Sequence, residues 1–345
     1  MNGPDPSTSE IAAAKDRLQK VCLESLPRLY LEEAGILAKG VSWNGETYEV
    51  LKPSVLDTAN VLLALYTLRS RGIEAPLDAD RLLTQCVGDY LEHCDFAETV
   101  LLVWADSLGD RKHSERLWPL LQERLPRHSS NTMLLSWALS GVCEHFKAGG
   151  DRESTESLAR NLYDTIAGNQ FRRTGLFFSS NDREGFLRKR RPLSHLPSQV
   201  FAIQALAEYS LTFSDKRAAD LALRCADRLC ALQGPQGQWW CVYNVREGTV
   251  AEKYPVYSVH QDGAMPTALN LVGRARQDHR LEEAGTRGLM WVFGNNELQT
   301  SLVDDKQKLV LRGIRQDDGN LAIIREMRSY HPGRCLHALA SAGSG

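Results

Sequence analysis

DTANVLLALYTLRSR, residues 57–71, is the stretch on which the fold turns. Between its polar ends it is apolar nearly all round, and a helix with no polar face has to be buried on every side. The next segment, Asp78–His93, is the opposite: an amphipathic helix with Asp80, Arg81, Gln85 and Glu92 on its outer side. The contrast continues in both directions. Upstream, Ser9–Leu26 reads as a helix capped by Ser9, with Ile11, Ala14, Leu18, Val21 and Cys22 at helical spacing, after a start (1–8) expected to be disordered. Downstream, apolar Phe96–Leu108, Asn131–Phe146, Ser198–Leu211 and Met265–Val272 alternate with amphipathic Ser114–Leu125, Ser154–Ala167, Asp215–Leu232 and Leu281–Phe293; Pro332–Ala342 closes the chain.

One outer and one inner helix therefore recur about six times, and repeated helix pairs must stack to bury their apolar sides. Inner helices lacking any polar face argue for a closed double ring over an open array. The expected fold is all-α, one toroid domain over 9–345. Links leaving the inner helices are short, whereas 27–56, 168–197, 233–264 and 294–331, which enter them, are long. Long links in a compact domain are usually functional. They carry strand signals: Asn44-Gly45 inside 41–51, GLFFS at 175–179 and KLVLR at 308–312. One face of the ring is thus elaborated with short β-hairpins.

Composition narrows the function. The chain has 345 residues, 43% hydrophobic and 24% charged, with a formal net charge of −2. That balance excludes the clustered basic excess of a nucleic-acid partner. The one basic run, 188–191, reads as a solvated loop or an anion contact through Arg190 and Arg191. No apolar stretch is long enough to span a membrane, and the N-terminus has neither a basic start nor an apolar core, so a cytoplasmic protein is expected. The eight cysteines form no CxxC pair and read as buried thiols. With no HExxH, phosphate loop or dinucleotide fingerprint, no metal or cofactor is expected.

If the long links and the inner-helix starts share a face, that mouth collects polar pairs: Asp57 and Asn60, Asp95 and Glu98, Ser130 and Asn131, His195 and Gln199, His260 and Asp262, Tyr330 and His331. Helix capping accounts for Asp95, Ser130, Ser198 and Asp262 as well as catalysis does. It does not account for the histidines, for Tyr330, or for the aromatic run Trp239, Trp240, Tyr243, Tyr254 and Tyr257 around Gln261. Carboxylates, imidazoles and flat rings suit a carbohydrate, with Trp239, Trp240, Tyr243 and Tyr257 as stacking platforms and Trp43 a further aromatic contact. Hydrolysis needs two carboxylates, Asp262 with Asp57, Asp95 or Glu98. Elimination or epimerisation of a uronic acid would use Tyr257 or His260 as base and Arg190 or Arg191 against the sugar carboxylate.

The alternation of inner and outer helices resembles the (α/α)6 toroid of six-hairpin glycosidases, several polysaccharide lyases and sugar epimerases, and terpenoid cyclases. Gln233, Gly237 and Trp239, with Leu229 in its expected place, match the Gln-x-x-x-Gly-x-Trp motif of squalene-type cyclases. That motif usually packs an outer helix on the next turn, and the cyclases' Asp-x-Asp-Asp proton donor is missing: neither 304–306 nor 317–319 fits. The resemblance implies a carbohydrate-active hydrolase, lyase or epimerase, with a terpenoid cyclase or a non-catalytic glycan-binding toroid as the alternatives. Cys241, Cys335 and His337 are similar to the zinc site of lanthionine cyclases, but that family's Cys-His-Gly is absent.

Overall fold

The computed structural model describes residues 7–125, 131–180, 192–278 and 280–342. Its first helix, α1 (Thr8–Leu29), is capped two residues before the expected Ser9. Ser7 is the cap instead, because a glutamate stands three residues on: Ser7 Oγ accepts from Glu10 N–H and the Glu10 carboxylate accepts from Ser7 N–H. The rest of the expected disordered start lies outside the described residues.

The inner helices are α2 (Val55–Ser70), α4 (Phe96–Leu108), α6 (Thr132–Lys147), α8 (Leu196–Phe213), α10 (Met265–Arg276) and α12 (Tyr330–Ala342). Each packs on the next, and α12 packs on α2, so the ring closes. In α2 every residue from Val55 to Leu68 except Leu56 is buried, as the apolar stretch requires. Gly333 permits the closure: a Cβ there would stand 2.8 Å from Val61 Cα and 2.9 Å from the Asn60 carbonyl. The outer helices α3 (Ala79–Gln85), α5 (Ser114–Arg124), α7 (Arg152–Gly168), α9 (Lys216–Ala231) and α11 (Arg280–Val292) each lie against the inner helix before them. The sixth outer place belongs to α1, which packs on α12. Outer helices bury a single stripe; in α9 it is Ala218, Leu221, Ala222, Cys225, Ala226 and Leu229. A leucine such as Leu62, enclosed by both rings, contributes about 1.5–3 kcal/mol through burial.

The Gln-x-x-x-Gly-x-Trp residues are fasteners between outer helices. Gln233 Nε2 donates to the Gly237 and Ala284 carbonyls (2.6 and 2.9 Å), and Arg287 donates to Gln233 Oε1 (2.6 Å). Gly237 turns at φ +90° with the Arg287 carbonyl 2.5 Å from where a Cβ would sit. One repeat earlier, Gln170 Nε2 holds the Gly175 and Leu221 carbonyls (2.9 and 2.8 Å), and Gly175 turns against Arg224. A buried glutamine then pins the aromatic that follows each turn: Gln199 brackets the Phe177 backbone, and Gln261 that of Trp239.

The long links cross-pair into three small sheets. Gly40–Trp43 joins Tyr48–Val50 and Glu326–Arg328; Gly313–Asp317 joins Asn320–Ile324 and Val256–Tyr257; Val242–Asn244 joins Leu193–His195 and Thr249–Glu252. KLVLR contributes Leu309–Val310, paired with Val303–Asp304. GLFFS forms no strand, only a single bridge between Phe177 and Gln170. The helix expected over 78–93 is regular only to Gln85 and finishes in a π turn and a 3-10 turn. The eight cysteines are unpaired thiols, and no helix among the described residues is long and apolar enough to cross a membrane.

Candidate functional site

All six inner helices begin on the face that carries the long links. There a cavity of about 270 Å³ is bounded by Leu56 and Asn60 of α2, Met133 and Trp137 of α6, Pro197 and Phe201 of α8, the π turn His260–Ala264, Tyr257 and Val259, and Tyr330 and Arg334 of α12. An adjoining recess of about 120 Å³ shares Pro197, Tyr257 and His260 and adds His195 and Trp240.

Helical spacing sorts the polar residues. Tyr330 and Arg334, four apart on α12, both reach the cavity, whereas His331 is turned to the side where Asp262 lies. Arg334 is 5% exposed, and its guanidinium lies over Phe201, Trp137 and Trp104 at 4.9, 5.5 and 5.8 Å from the ring centroids. Among the described residues its Nη2 has no hydrogen-bond partner. Burial brings its pKa down to about 10. His260 stands edge-on to Tyr257 (6.3 Å between centroids), with a buried Nδ1 that has no hydrogen-bond partner among the described residues. Burial, then the nearby His331 and Arg334, lowers its pKa to about 4, so the imidazole is neutral near pH 7. Burial also raises the Tyr330 hydroxyl, against the opposing pull of Arg312. Arg312 itself covers the Tyr257 ring at 4.9 Å and pairs with Glu326 (2.5 Å).

The expected carboxylates are engaged elsewhere. Asp262 is buried, with His331 Nε2 at 3.0 and 2.9 Å from its two oxygens. His331 Nδ1 is 3.4 Å from Ser258 Oγ, which donates to the Leu311 carbonyl (2.7 Å). This pair ties the π turn to α12 behind the cavity wall, so Asp262 supports His260 without bounding the cavity. Asp57 accepts from Ser54 Oγ (2.6 Å) and Tyr330 N–H (3.3 Å), joining the starts of α2 and α12, and burial raises its pKa. Asp95 and Glu98 form the capping box of α4, at 2.8 and 2.9 Å, and neither bounds the cavity. Burial raises the Glu98 carboxyl as well.

Of the other expected contacts, Tyr257, His260 and Tyr330 meet at the cavity, and Trp240 and exposed His195 at the recess. Trp239, which also bounds the recess, and Tyr243 are fully buried; Trp239 packs under Gly288, and the Tyr243 hydroxyl accepts from Trp240 N–H (3.1 Å). Tyr254 donates to Glu297 (2.9 Å), Gln199 and Gln261 are backbone pins, and Trp43 packs against Tyr48 and Arg325 in its sheet. Arg190, Arg191 and Ser130 lie outside the described residues. Among those described, no group of three or more His, Cys, Asp or Glu could hold a metal. Sequence reasoning missed Arg334, Arg312, Trp137 and Phe201. The available signal was an arginine inside an otherwise apolar closing helix, since a charge in an inner helix has to face a cavity or a partner.

No family model matches this chain, and no curated protein matches its sequence. Among solved structures it is similar to an unsaturated glucuronyl hydrolase from Streptococcus agalactiae (TM-score 0.66, 11% identity, 98% of this chain and 93% of that one). It is similar also to a sugar epimerase from a ruminal bacterium (0.67, 12%, 97% and 99%) and to an unsaturated glucuronyl hydrolase specific for heparin (0.66, 11%, 96% and 96%). A mutant of the Streptococcus enzyme was solved complexed with dGlcA-GalNAc6S. At such identity the likeness concerns the fold, and the fold is an all-α double-ring toroid.

Proposed function

We propose that this chain is a carbohydrate-active enzyme that binds a carboxylate-bearing saccharide in the link-face cavity and acts by proton transfer, as a lyase or an epimerase. One observation carries the reading: the described residues bounding the cavity include Tyr257, His260, Tyr330 and Arg334 and no Asp or Glu. Hydrolysis with paired carboxylates requires two facing acids, and here the nearby acids cap helices or hold His331.

A saccharide carboxylate would lodge against Arg334, a buried cation with no ion-pair partner among the described residues, through charge-assisted hydrogen bonds. Next to it, the carbon-bound hydrogen α to the carboxylate becomes acidic enough for a general base. Neutral His260 accepts that proton. The electron pair then either forms a C=C bond while the C–O bond at the β carbon breaks and Tyr330 protonates the departing oxygen, or is reprotonated on the opposite face to invert the centre. The arriving anion offsets the Arg334 charge that helps hold His260 neutral, so binding makes the imidazole a stronger base. A cyclase cavity fits less well, because a guanidinium already occupies the aromatic faces that would stabilise a carbocation.

The test is turnover of a panel of uronate-containing oligosaccharides in D₂O, following new double-bond absorbance and deuterium uptake, for the native chain, His260→Ala and Tyr330→Phe. The expected result is one of these signals in the native chain and a loss of at least about a hundredfold in each variant, typical of an acid or base removed. Hydrolysis with neither signal, or full activity in both variants, would overturn the reading.

A further inference from the structure

The opposite mouth of the ring has a cavity of its own, of about 450 Å³, at the place where the inner helices end. Its floor is made by Glu208 of α8, Thr67 of α2, Thr267 of α10 and His337 of α12; Arg71 and Arg274 lie at its rim, and Lys147 there is paired with Glu144. We propose that this is a second small-molecule site, separate in space from the link-face cavity, and that it takes a zwitterion: a ligand ammonium on the floor and a ligand acid group at the rim.

The floor offers acceptors and few donors. Glu208 is 8% exposed; its carboxylate accepts from Gln204 Nε2 (2.9 Å, at Oε1) and lies against the Ser140 hydroxyl, and among the described residues Oε2 has no hydrogen-bond partner. A buried carboxylate oxygen left unmatched is costly, and a ligand N–H would satisfy it. Thr67 Oγ donates to the Leu63 carbonyl (2.7 Å) and Thr267 Oγ to the Gly263 carbonyl (2.9 Å), so both hydroxyls turn only lone pairs outward. His337 Nδ1 lies 2.9 Å from Thr67 Oγ1, whose proton is already used, so Nδ1 carries the hydrogen. Burial lowers the pKa of His337 to about 4, which leaves Nε2 as a lone-pair acceptor in the neutral ring. The inner helices also direct their C-terminal carbonyls and negative dipole ends to this mouth, where positive charge is favoured. An ammonium supplies donors and charge together. The rim, where Arg71 is exposed, has the opposite preference and suits an acid group.

Affinity should depend on pH through Glu208. Burial, with Glu144 adding to it, raises its pKa to about 7, while Ser140, Gln204 and Lys147 oppose the shift. The other titratable or charged groups about it are Cys143 of α6, Arg334 and His337 of α12, Tyr66 and Arg71 of α2, and Arg274 of α10. An ammonium prefers the ionised carboxylate, so binding should strengthen as pH rises through about 7.

The experiment is calorimetric titration of the full chain with ω-amino acids from glycine to 6-aminohexanoate, with hexylamine and hexanoate as single-charge probes. One chain length should bind at least about tenfold more tightly than either single-charge probe, and Glu208→Gln should weaken it at least about tenfold and flatten its pH dependence. Thr67→Val, which removes a floor acceptor, is the second variant should Glu208→Gln fail to fold, and it should weaken the same ligand. Binding of hexanoate as tight as that of any amino acid, unchanged affinity in both variants, or no binding of any probe would each overturn the proposal.

Discussion

Replacing Arg334 with methionine should leave the fold as stable as before, or slightly more so, while abolishing affinity for saccharide carboxylates. The guanidinium is held at a pKa of about 10 against 12.5 when unfolded. At about 1.4 kcal/mol per pH unit, that gap is roughly 3 kcal/mol against the charged folded state. The unfolded chain takes up the proton first, so the cost is fully present below pH 10 and fades as pH rises towards 12.5. Contacts with Phe201, Trp137 and Trp104 return about 0.5–1 kcal/mol each, roughly 2 in all. Methionine keeps much of the packing against those rings with no charge to desolvate. The net expectation is a gain of about 0–2 kcal/mol. A structural keystone would behave differently, since truncating one member of a buried charged network costs about 3–5 kcal/mol. Urea unfolding at pH 7 reads the stability, and calorimetry with a uronate-bearing disaccharide reads the binding. A midpoint shift equivalent to a loss of 3 kcal/mol or more, or carboxylate binding that survives the change, would refute the reasoning.

Two further outcomes can be checked independently. His260 accepts a proton only when neutral, and burial puts its pKa at about 4, so kcat/KM should be flat at higher pH and fall as pH drops through about 4. The matching limb in kcat should lie at higher pH, because the bound anion offsets Arg334; coincident limbs would detach Arg334 from the site. Gln199→Ala removes bonds of 2.8, 2.7 and 2.7 Å and leaves the buried Phe177 N–H and carbonyl without a partner. At about 1–3 kcal/mol for each of the two stranded groups, it should cost roughly 2–6 kcal/mol in equilibrium unfolding, and a loss below about 1 kcal/mol would mean that water replaces the amide.

The ring was legible because its cause lies in composition along the chain. Val55–Leu68 carries apolar residues on every side of the helix and is buried at every position but Leu56, whereas Ala218–Leu229 buries one stripe, so the former lies inside the latter. The Asn44-Gly45 hairpin was legible for a local reason: the Asn44 side chain accepts from Glu46 N–H and Thr47 N–H (both 2.9 Å) to make the turn. The site was legible only as a region. His260, Tyr257 and Tyr330 reach the cavity, yet Asp262, two residues from His260, faces the other way, as side chains two apart in a helical turn do. Its partner His331 comes from the far end of the chain, and no local pattern announces that meeting. Asp95 and Glu98 carry the capping-box spacing and obey it, so a mouth position did not make them site residues. Arg334 went unseen because periodicity ranks a lone charge in an apolar helix as noise.

That lone charge has a counterpart that makes the axis of the ring more than packing. Along the space enclosed by the inner helices, Arg334 lies at the link-face cavity and Glu208 at the other, each buried and each with an unpartnered atom. No hydrogen bond or ion pair joins them among the described residues, although each lies within electrostatic influence of the other. An interior arranged for stability alone would fill both positions with leucine or join them in one satisfied pair, since an incomplete buried network is worse than an apolar core. Two opposite charges kept apart and turned toward opposite mouths serve neither end. They do serve a ligand carboxylate entering at one mouth and a ligand ammonium at the other, and filling one cavity should therefore shift the affinity of the other by a reciprocal factor.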